Sequence, residues 1–217
     1  MIYNTDSADK VAESLLQIKA IKLNNNDPFT WASGLKSPIY CDNRVALSFP
    51  KIRTYIRQQL VEAIEEKFGQ VDVIAGVATA GIPQAALVAS TLGLPLVYVR
   101  SSEKKHGMTN KIEGVINDGQ SVVVIEDLIS TGRSSLDAVD ALRAAGAKVK
   151  GMVAIFSYGL QKAEDNFTKS KCKLVTLSDY DNLVKKATDS NYISNNDLES
   201  LLEWRKDPQA WSDSKSK

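Results

Sequence analysis

The stretch Val122-Val-Val-Ile-Glu-Asp-Leu-Ile-Ser-Thr-Gly-Arg-Ser-Ser135 decides the fold. Its first residues are apolar in succession, the pattern of a strand covered on both faces. That run, predicted as a strand over 121–125, stops at two adjacent carboxylates, Glu126 and Asp127. A hydroxylated turn, Thr131-Gly132-x-Ser134, follows, and a helical pattern runs over 134–145 with Gly146 as its stop. An acid pair can hold sugar hydroxyls or a divalent metal. A helix start offers unpaired N–H groups and a dipole that favour a phosphate. A ligand that carries both groups is a phosphorylated ribose. Each part also has a plainer reading: two charges can solvate a strand end, and Ser134 or Ser135 can be an N-cap and nothing more. The combination is more specific than any of its parts.

Outward from this stretch the pattern alternates. Strands are predicted over 71–75, 94–99, 149–156 and 173–177, and helices over 84–92 and 161–167. Upstream, Ile52, Tyr55, Ile56, Leu60 and Ile64 mark a helix over 51–68. Val11, Leu15, Leu16 and Ile18 mark another over 7–21. Residues 27–44 carry two prolines and a glycine without a period, as in a loop or short hairpin. Two helices are expected near 181–187 and 194–204, with a frayed tail over 211–217. Strands alternating with helices predict an α/β fold, a mostly parallel sheet flanked by helices. The chain divides into an N-terminal part over 1–50, a core over 51–180 and C-terminal helices over 181–217, within one domain. In such sheets ligands sit at the carboxyl ends of the strands. The loops after Ala75, Val99 and Ile125 lie there.

Composition narrows the function further. Hydrophobic residues make up 43% of the 217, enough for a substantial core. Lys and Arg number 27 against 26 Asp and Glu, a net charge of +1. That balance gives no reason to expect a nucleic-acid or membrane surface, so any anion site is local. No apolar run is long enough to span a membrane, and the N-terminus lacks the layout of a signal peptide. Cys41 and Cys172 are far apart in sequence and expected to be reduced, which points to the cytoplasm. With His106 as the one histidine, the chain has too few ligands for a zinc site without carboxylates.

Two further loops bear on the same ligand. Gly76-Val-Ala-Thr-Ala-Gly81 spaces its glycines like a Walker A loop, but Ile82 and Pro83 stand where the Lys and Ser/Thr would be. It can be a tight strand-to-helix turn alone, or an anion cradle made of backbone N–H groups and Thr79. Arg100-Ser-Ser-Glu-Lys-Lys-His-Gly107 opens a long polar segment holding Arg100, Lys104, Lys105 and His106. Such a run is either a solvated loop or a cationic lid of the kind a diphosphate leaving group requires. Together the three loops suggest a sugar between two phosphate groups. No G-x-G-x-x-G, H-E-x-x-H or G-x-S-x-G occurs.

These residues resemble a known family. The 122–135 stretch is similar to the phosphoribosyl-pyrophosphate motif of type I phosphoribosyltransferases. Phe29-Thr-Trp-Ala-Ser-Gly-Leu-Lys-Ser-Pro-Ile-Tyr40, Ala78-Thr-Ala-Gly-Ile-Pro83, Lys104-Lys-His-Gly107 and Ile112-Glu-Gly114 resemble the orotate branch in its Gram-positive bacterial form. The resemblance implies the type I phosphoribosyltransferase fold with a small N-terminal hood. It implies transfer of phosphoribosyl from phosphoribosyl pyrophosphate to orotate, with Mg2+, giving orotidine 5′-monophosphate and pyrophosphate.

It also implies a set of site residues. Glu126 and Asp127 face the ribose hydroxyls and the metal, which is held mainly through the substrate. Leu128 and Ile129 belong to the phosphoribosyl-pyrophosphate site, and Ser130, Thr131, Gly132, Arg133 and Ser134 cradle the 5′-phosphate. Thr79 and Ala80 contact the pyrophosphate. Arg100, Lys104 and His106 belong to a loop that closes over the neighbouring subunit's site, which implies a homodimer with shared active sites. Lys104, His106 and Asp127 are the catalytic candidates. Ser130, Tyr40 and Lys36 are expected at orotate. Many members carry lysines where this chain has Ala32 and Ser101, and an arginine near Tyr158-Gly159. Those departures leave the group that meets the orotate carboxylate open, with Lys36 or a mere solvated turn lysine as the two readings of that residue. The alternatives are a phosphoribosyltransferase for a purine or uracil, a non-catalytic regulator that keeps the pocket, or a small hydrolase.

Overall fold

The run at 121 forms the centre of a sheet. A computed structural model describes residues 1–31, 33–101 and 111–215, with the side chains of 195 and 196 left out. From the N-terminus, helix α1 (Thr5–Gln17) is capped by Asn4, whose side chain accepts the Ser7 N–H. The hood follows. Strand β1 (Ile21–Leu23) precedes a hairpin of β2 (Phe29–Thr30) and β3 (Lys36–Ser37), and β4 (Ile39–Cys41) returns antiparallel to β1. A 3-10 turn over Asn43–Ser48 leads into α2 (Pro50–Phe68).

The core alternates as expected: β5 (Val73–Val77), α3 (Gly81–Leu92), β6 (Leu96–Val99), β7 (Ile112–Glu113), β8 (Ser121–Ile129), α4 (Arg133–Ala144), β9 (Lys148–Ser157), α5 (Gln161–Lys169) and β10 (Leu174–Asp179). Helices α6 (Tyr180–Asp189), α7 (Asn195–Lys206) and α8 (Pro208–Ser214) close the described chain. The sheet order is β10-β9-β8-β5-β6-β7, parallel except for the β6–β7 pair. Successive β8 residues alternate between two cores. Val123 and Ile125 face α1, α2, α3 and α6, while Val122 and Val124 face α4 and α5. Both faces are therefore dry, which is why the run is apolar without alternation.

Several boundaries differ from the expected ones for local reasons. The first helix ends at Gln17, not 21, because Lys19 takes a left-handed conformation (φ 57°), and Ile21 starts β1. Strand β8 continues to Ile129, so Glu126 and Asp127 lie within the strand. Pairing with β9 holds it there, with Glu126 opposite Ala154 and Leu128 opposite Phe156. Helix α3 begins at Gly81 and α4 at Arg133, each earlier than its periodicity suggests. The tail does not fray over 211–214. Asp207 caps α8, and Trp211 is buried with its indole N–H donating to Ser200 Oγ at 3.0 Å. Among the described residues no helix is long and apolar enough to cross a membrane.

Candidate functional site

The chain passes from β5 through α3 to β6 on one side, and from β8 through α4 to β9 on the other. The chain thus winds outward in opposite senses from the parallel neighbours β5 and β8, and such a switch point opens a crevice at the carboxyl ends of the strands. Two loops border it. Residues 78–80 lead from β5 into α3, and residues 130–132 lead from β8 into α4. The Ala78–Thr79 peptide is cis. Neither helix has a side-chain cap, since Ala80 and Gly132 occupy the cap positions. The first N–H groups of both helices therefore have no acceptor in their own helix, and the positive dipole ends face the crevice. Gly81 allows this approach: a Cβ there would stand 2.6 Å from the Ile125 carbonyl oxygen.

The carboxylates sit between these helix starts. Glu126 is buried and accepts the Ser135 hydroxyl at 2.8 Å and the Asp127 N–H at 3.0 Å. Burial, followed by the neighbouring Asp127 charge, pushes the Glu126 carboxyl up to about 8, against those two donors. Burial raises Asp127 too, while its hydrogen bond with Glu126 and the Arg44 charge pull it back. The pair thus holds a proton near neutral pH, with Glu126 as its main site. Among the described residues no three His, Cys, Asp or Glu groups cluster as a metal site. Two adjacent carboxylates suit a magnesium whose other ligands come from a phosphorylated substrate and water.

Thr79 is exposed and Ala80 half-buried on the α3 side. Ser130 and Thr131 are half-buried, Gly132 is buried, and Arg133 and Ser134 are exposed at the start of α4. Leu128 packs against the core on the α3 side and Ile129 on the α4 side, so both act as strand residues beneath the turn. Arg100 closes β6 and pairs with Glu113 at 3.5 Å. Lys104, Lys105 and His106 lie outside the described residues, as does Ala32.

The hood carries Lys36 on β3 and Tyr40 on β4, strands consecutive in the chain but in separate two-stranded sheets. The Tyr40 ring lies 5.6 Å from Phe29 and is 40% exposed, available to a flat ligand. Lys36 Nζ donates to Thr30 Oγ1 at 3.0 Å, and its backbone N–H donates to Ser212 Oγ at 2.9 Å. Trp31 stacks on Tyr158 at 5.1 Å and meets Trp204 edge-on at 5.6 Å. Gly159 lies beneath Arg205, which donates to its carbonyl and pairs with Asp181.

Sequence reasoning missed two groups. Asn43 is buried and donates Nδ2–H to the Asp127 carbonyl at 2.7 Å, tying the hood to the acid pair. Cys41 donates its thiol to Asn43 Oδ1 at 3.3 Å, and burial keeps that thiol protonated. Ser135, a cap by its place in the sequence, instead gives its hydroxyl to Glu126. The apolar-to-polar border at residues 41–43 gave no signal, because these partners are distant in sequence.

A switch-point crevice with two uncapped helix starts and a carboxylate pair defines a phosphoribosyl-transferring class of α/β protein. The phosphoribosyl transferase domain model matches residues 48–188. The chain is 59% identical to the orotate phosphoribosyltransferase of Listeria monocytogenes serotype 4b over 202 residues, 93% of this chain and 97% of that one. It is 56% identical to the orotate phosphoribosyltransferase of Porphyromonas gingivalis over 93% of this chain and 96% of that one. The crystal structure of orotate phosphoribosyltransferase from Aeropyrum pernix superposes with a TM-score of 0.74 at 27% identity, covering 85% of this chain and 99% of that one. The chain belongs to the orotate phosphoribosyltransferase family.

Proposed function

We propose that the chain transfers phosphoribosyl from 5-phosphoribosyl 1-pyrophosphate to orotate, giving orotidine 5′-monophosphate and pyrophosphate. The observation that carries this reading is the Glu126–Asp127 pair between two uncapped helix starts, in a chain so similar to orotate phosphoribosyltransferases. The start of α4, from Ser130 to Ser134, takes the 5′-phosphate on its N–H groups. Thr79 and Ala80 take the pyrophosphate at the start of α3. Glu126 and Asp127 hold the ribose hydroxyls, and the Asp127 carboxylate stabilises positive charge that grows on the sugar as pyrophosphate departs. Glu126 and Asp127 would help hold a magnesium ion together with the substrate, and that ion would supply positive charge to the leaving pyrophosphate. Orotate lies under the hood against Tyr40, within reach of Ser130 and Lys36.

Arg100, Lys104 and His106 complete the leaving-group side, and by resemblance they serve the site of a second copy in a homodimer. Closure of such a loop excludes water, whose attack would hydrolyse the donor. The working protein is expected in the cytoplasm. Loss of orotate absorbance on mixing with phosphoribosyl pyrophosphate tests the reading. Activity should vanish with EDTA and return with magnesium. Turnover of adenine or uracil, with orotate untouched, would overturn the substrate assignment.

A further inference from the structure

The turn after β8 rests on α5. Asn166 donates Nδ2–H to the Thr131 carbonyl at 2.9 Å. The next residue, Phe167, is buried, and a Cβ on Gly132 would stand 2.5 Å from its ring. Gly132 has φ 73°, so conformation and space both demand glycine there. Two consecutive residues of one helix thus fix two consecutive residues of the turn.

The Asn166 contact sets a direction. In a trans peptide the carbonyl and the following N–H point opposite ways. Holding the Thr131 carbonyl toward α5 therefore turns the Gly132 N–H away from α5. The Gly132 carbonyl accepts the Leu136 N–H at 2.9 Å, the first α-helical bond of α4. The Gly132 N–H thereby joins the free N–H groups at that helix start. We infer that Asn166 is a positioning residue, which aims the Gly132 N–H at the 5′-phosphate by anchoring the Thr131 carbonyl. This rests on the reading of the turn as a 5′-phosphate site. Asn166 is half-buried and lines a groove of about 750 Å³ between α4 and α5, so trimming it opens no sealed core cavity.

The test uses the full chain with Asn166→Ala, and with Asn166→Asp, which keeps the shape but loses the donor. Binding of ribose 5-phosphate and of inorganic pyrophosphate is measured by calorimetry, beside orotate turnover and Tm. Both variants should bind ribose 5-phosphate about tenfold more weakly, the scale of one lost hydrogen bond. They should bind pyrophosphate within about twofold of the parent, with a raised KM for phosphoribosyl pyrophosphate and little change in kcat. Unchanged ribose 5-phosphate binding would overturn the inference. Equal weakening of both ligands would also overturn it, because that marks a general loss of structure. If the parent binds ribose 5-phosphate but ignores orotate, the substrate reading falls while the binding arm still decides the role of Asn166.

Discussion

The turn after β8 and the hood over the crevice are built by opposite means. The turn is one continuous segment, carried by the central strand on one side and a helix start on the other. The hood is held by side chains from the far end of the chain. Trp31 packs on Tyr158 and Trp204, the Lys36 N–H reaches Ser212, and Asn25 Nδ2 reaches the Asp197 carbonyl at 2.9 Å. Asn43 alone among these ties runs to the acid pair itself. The difference teaches where each kind of recognition resides. Backbone N–H groups on a rigid strand–helix unit suit a phosphate on any phosphoribosyl donor. In the proposed reading, recognition of the base falls to a small hood tied to α7 and α8.

The comparison is broken most severely at the carboxylates. Asp127→Asn should lower kcat by ~10²-fold or more, the scale of one preorganised electrostatic group. Its Tm should stay near that of the parent, since the amide fits the same space. A loss below threefold would remove Asp127 from the catalytic group. The hood should respond differently. Trp31→Ala removes a ring that stacks on Tyr158 and meets Trp204 edge-on, and should cost about 2 kcal/mol, below the usual range for a fully buried aromatic because Trp31 is half-buried. It should also raise the orotate KM while leaving the ribose 5-phosphate affinity alone. Equal damage to both ligands, measured by calorimetry, would show that hood and turn are not independent.

The same contrast explains what the sequence disclosed. The apolar run at 122–125, the acids and the turn are neighbours in the chain, so local pattern suffices to place them together. The alternation of strands and helices gave the parallel sheet for the same reason. The hood contacts join residues 31 and 204, 36 and 212, and 43 and 127, and no periodicity marks such pairs. The reach of β8 beyond Ile125 was hidden because charged residues seldom continue a buried strand. Here pairing with β9 and the Ser135 hydroxyl accommodate Glu126. The sequence around Trp211 predicts a frayed tail, because the partner that holds its indole, Ser200, lies in another helix.

Protonation offers a gentler probe of the turn side. The Glu126 carboxyl has an ordinary value near 4.5 and is raised to about 8 in the fold. Between those values the folded protein binds more protons than the unfolded chain, so stability falls as pH rises and levels off above about 8. Glu126→Gln removes that titration. The variant should gain stability relative to the parent on going from pH 5 to pH 8.5, by up to about 4 kcal/mol at ~1.36 kcal/mol per pKa unit. Thermal melts across this range check it, and a pH-independent difference would contradict the assigned titration. The affinity of the parent for a magnesium-bound donor should rise over the same window, because a cation favours the ionised pair.

The smallest expected effect lies at the edge of the hood. Lys36 Nζ has a hydroxyl partner in Thr30, and among the described residues no carboxylate pairs with it. An ammonium left without a counter-charge on this hairpin is suited to the orotate carboxylate in the proposed reading. Because it is partly exposed, water and salt weaken the attraction. Lys36→Ala should therefore raise the orotate KM by about three- to fivefold at low ionic strength, and by less at high salt. The KM for phosphoribosyl pyrophosphate should not move. Steady-state kinetics at two salt concentrations separate this from a loss of hairpin structure, which would weaken orotate equally in both. An orotate KM that is unchanged at low salt would leave Lys36 as a turn residue hydrogen-bonded to Thr30. The carboxylate would then fall to another hood group or to a backbone N–H.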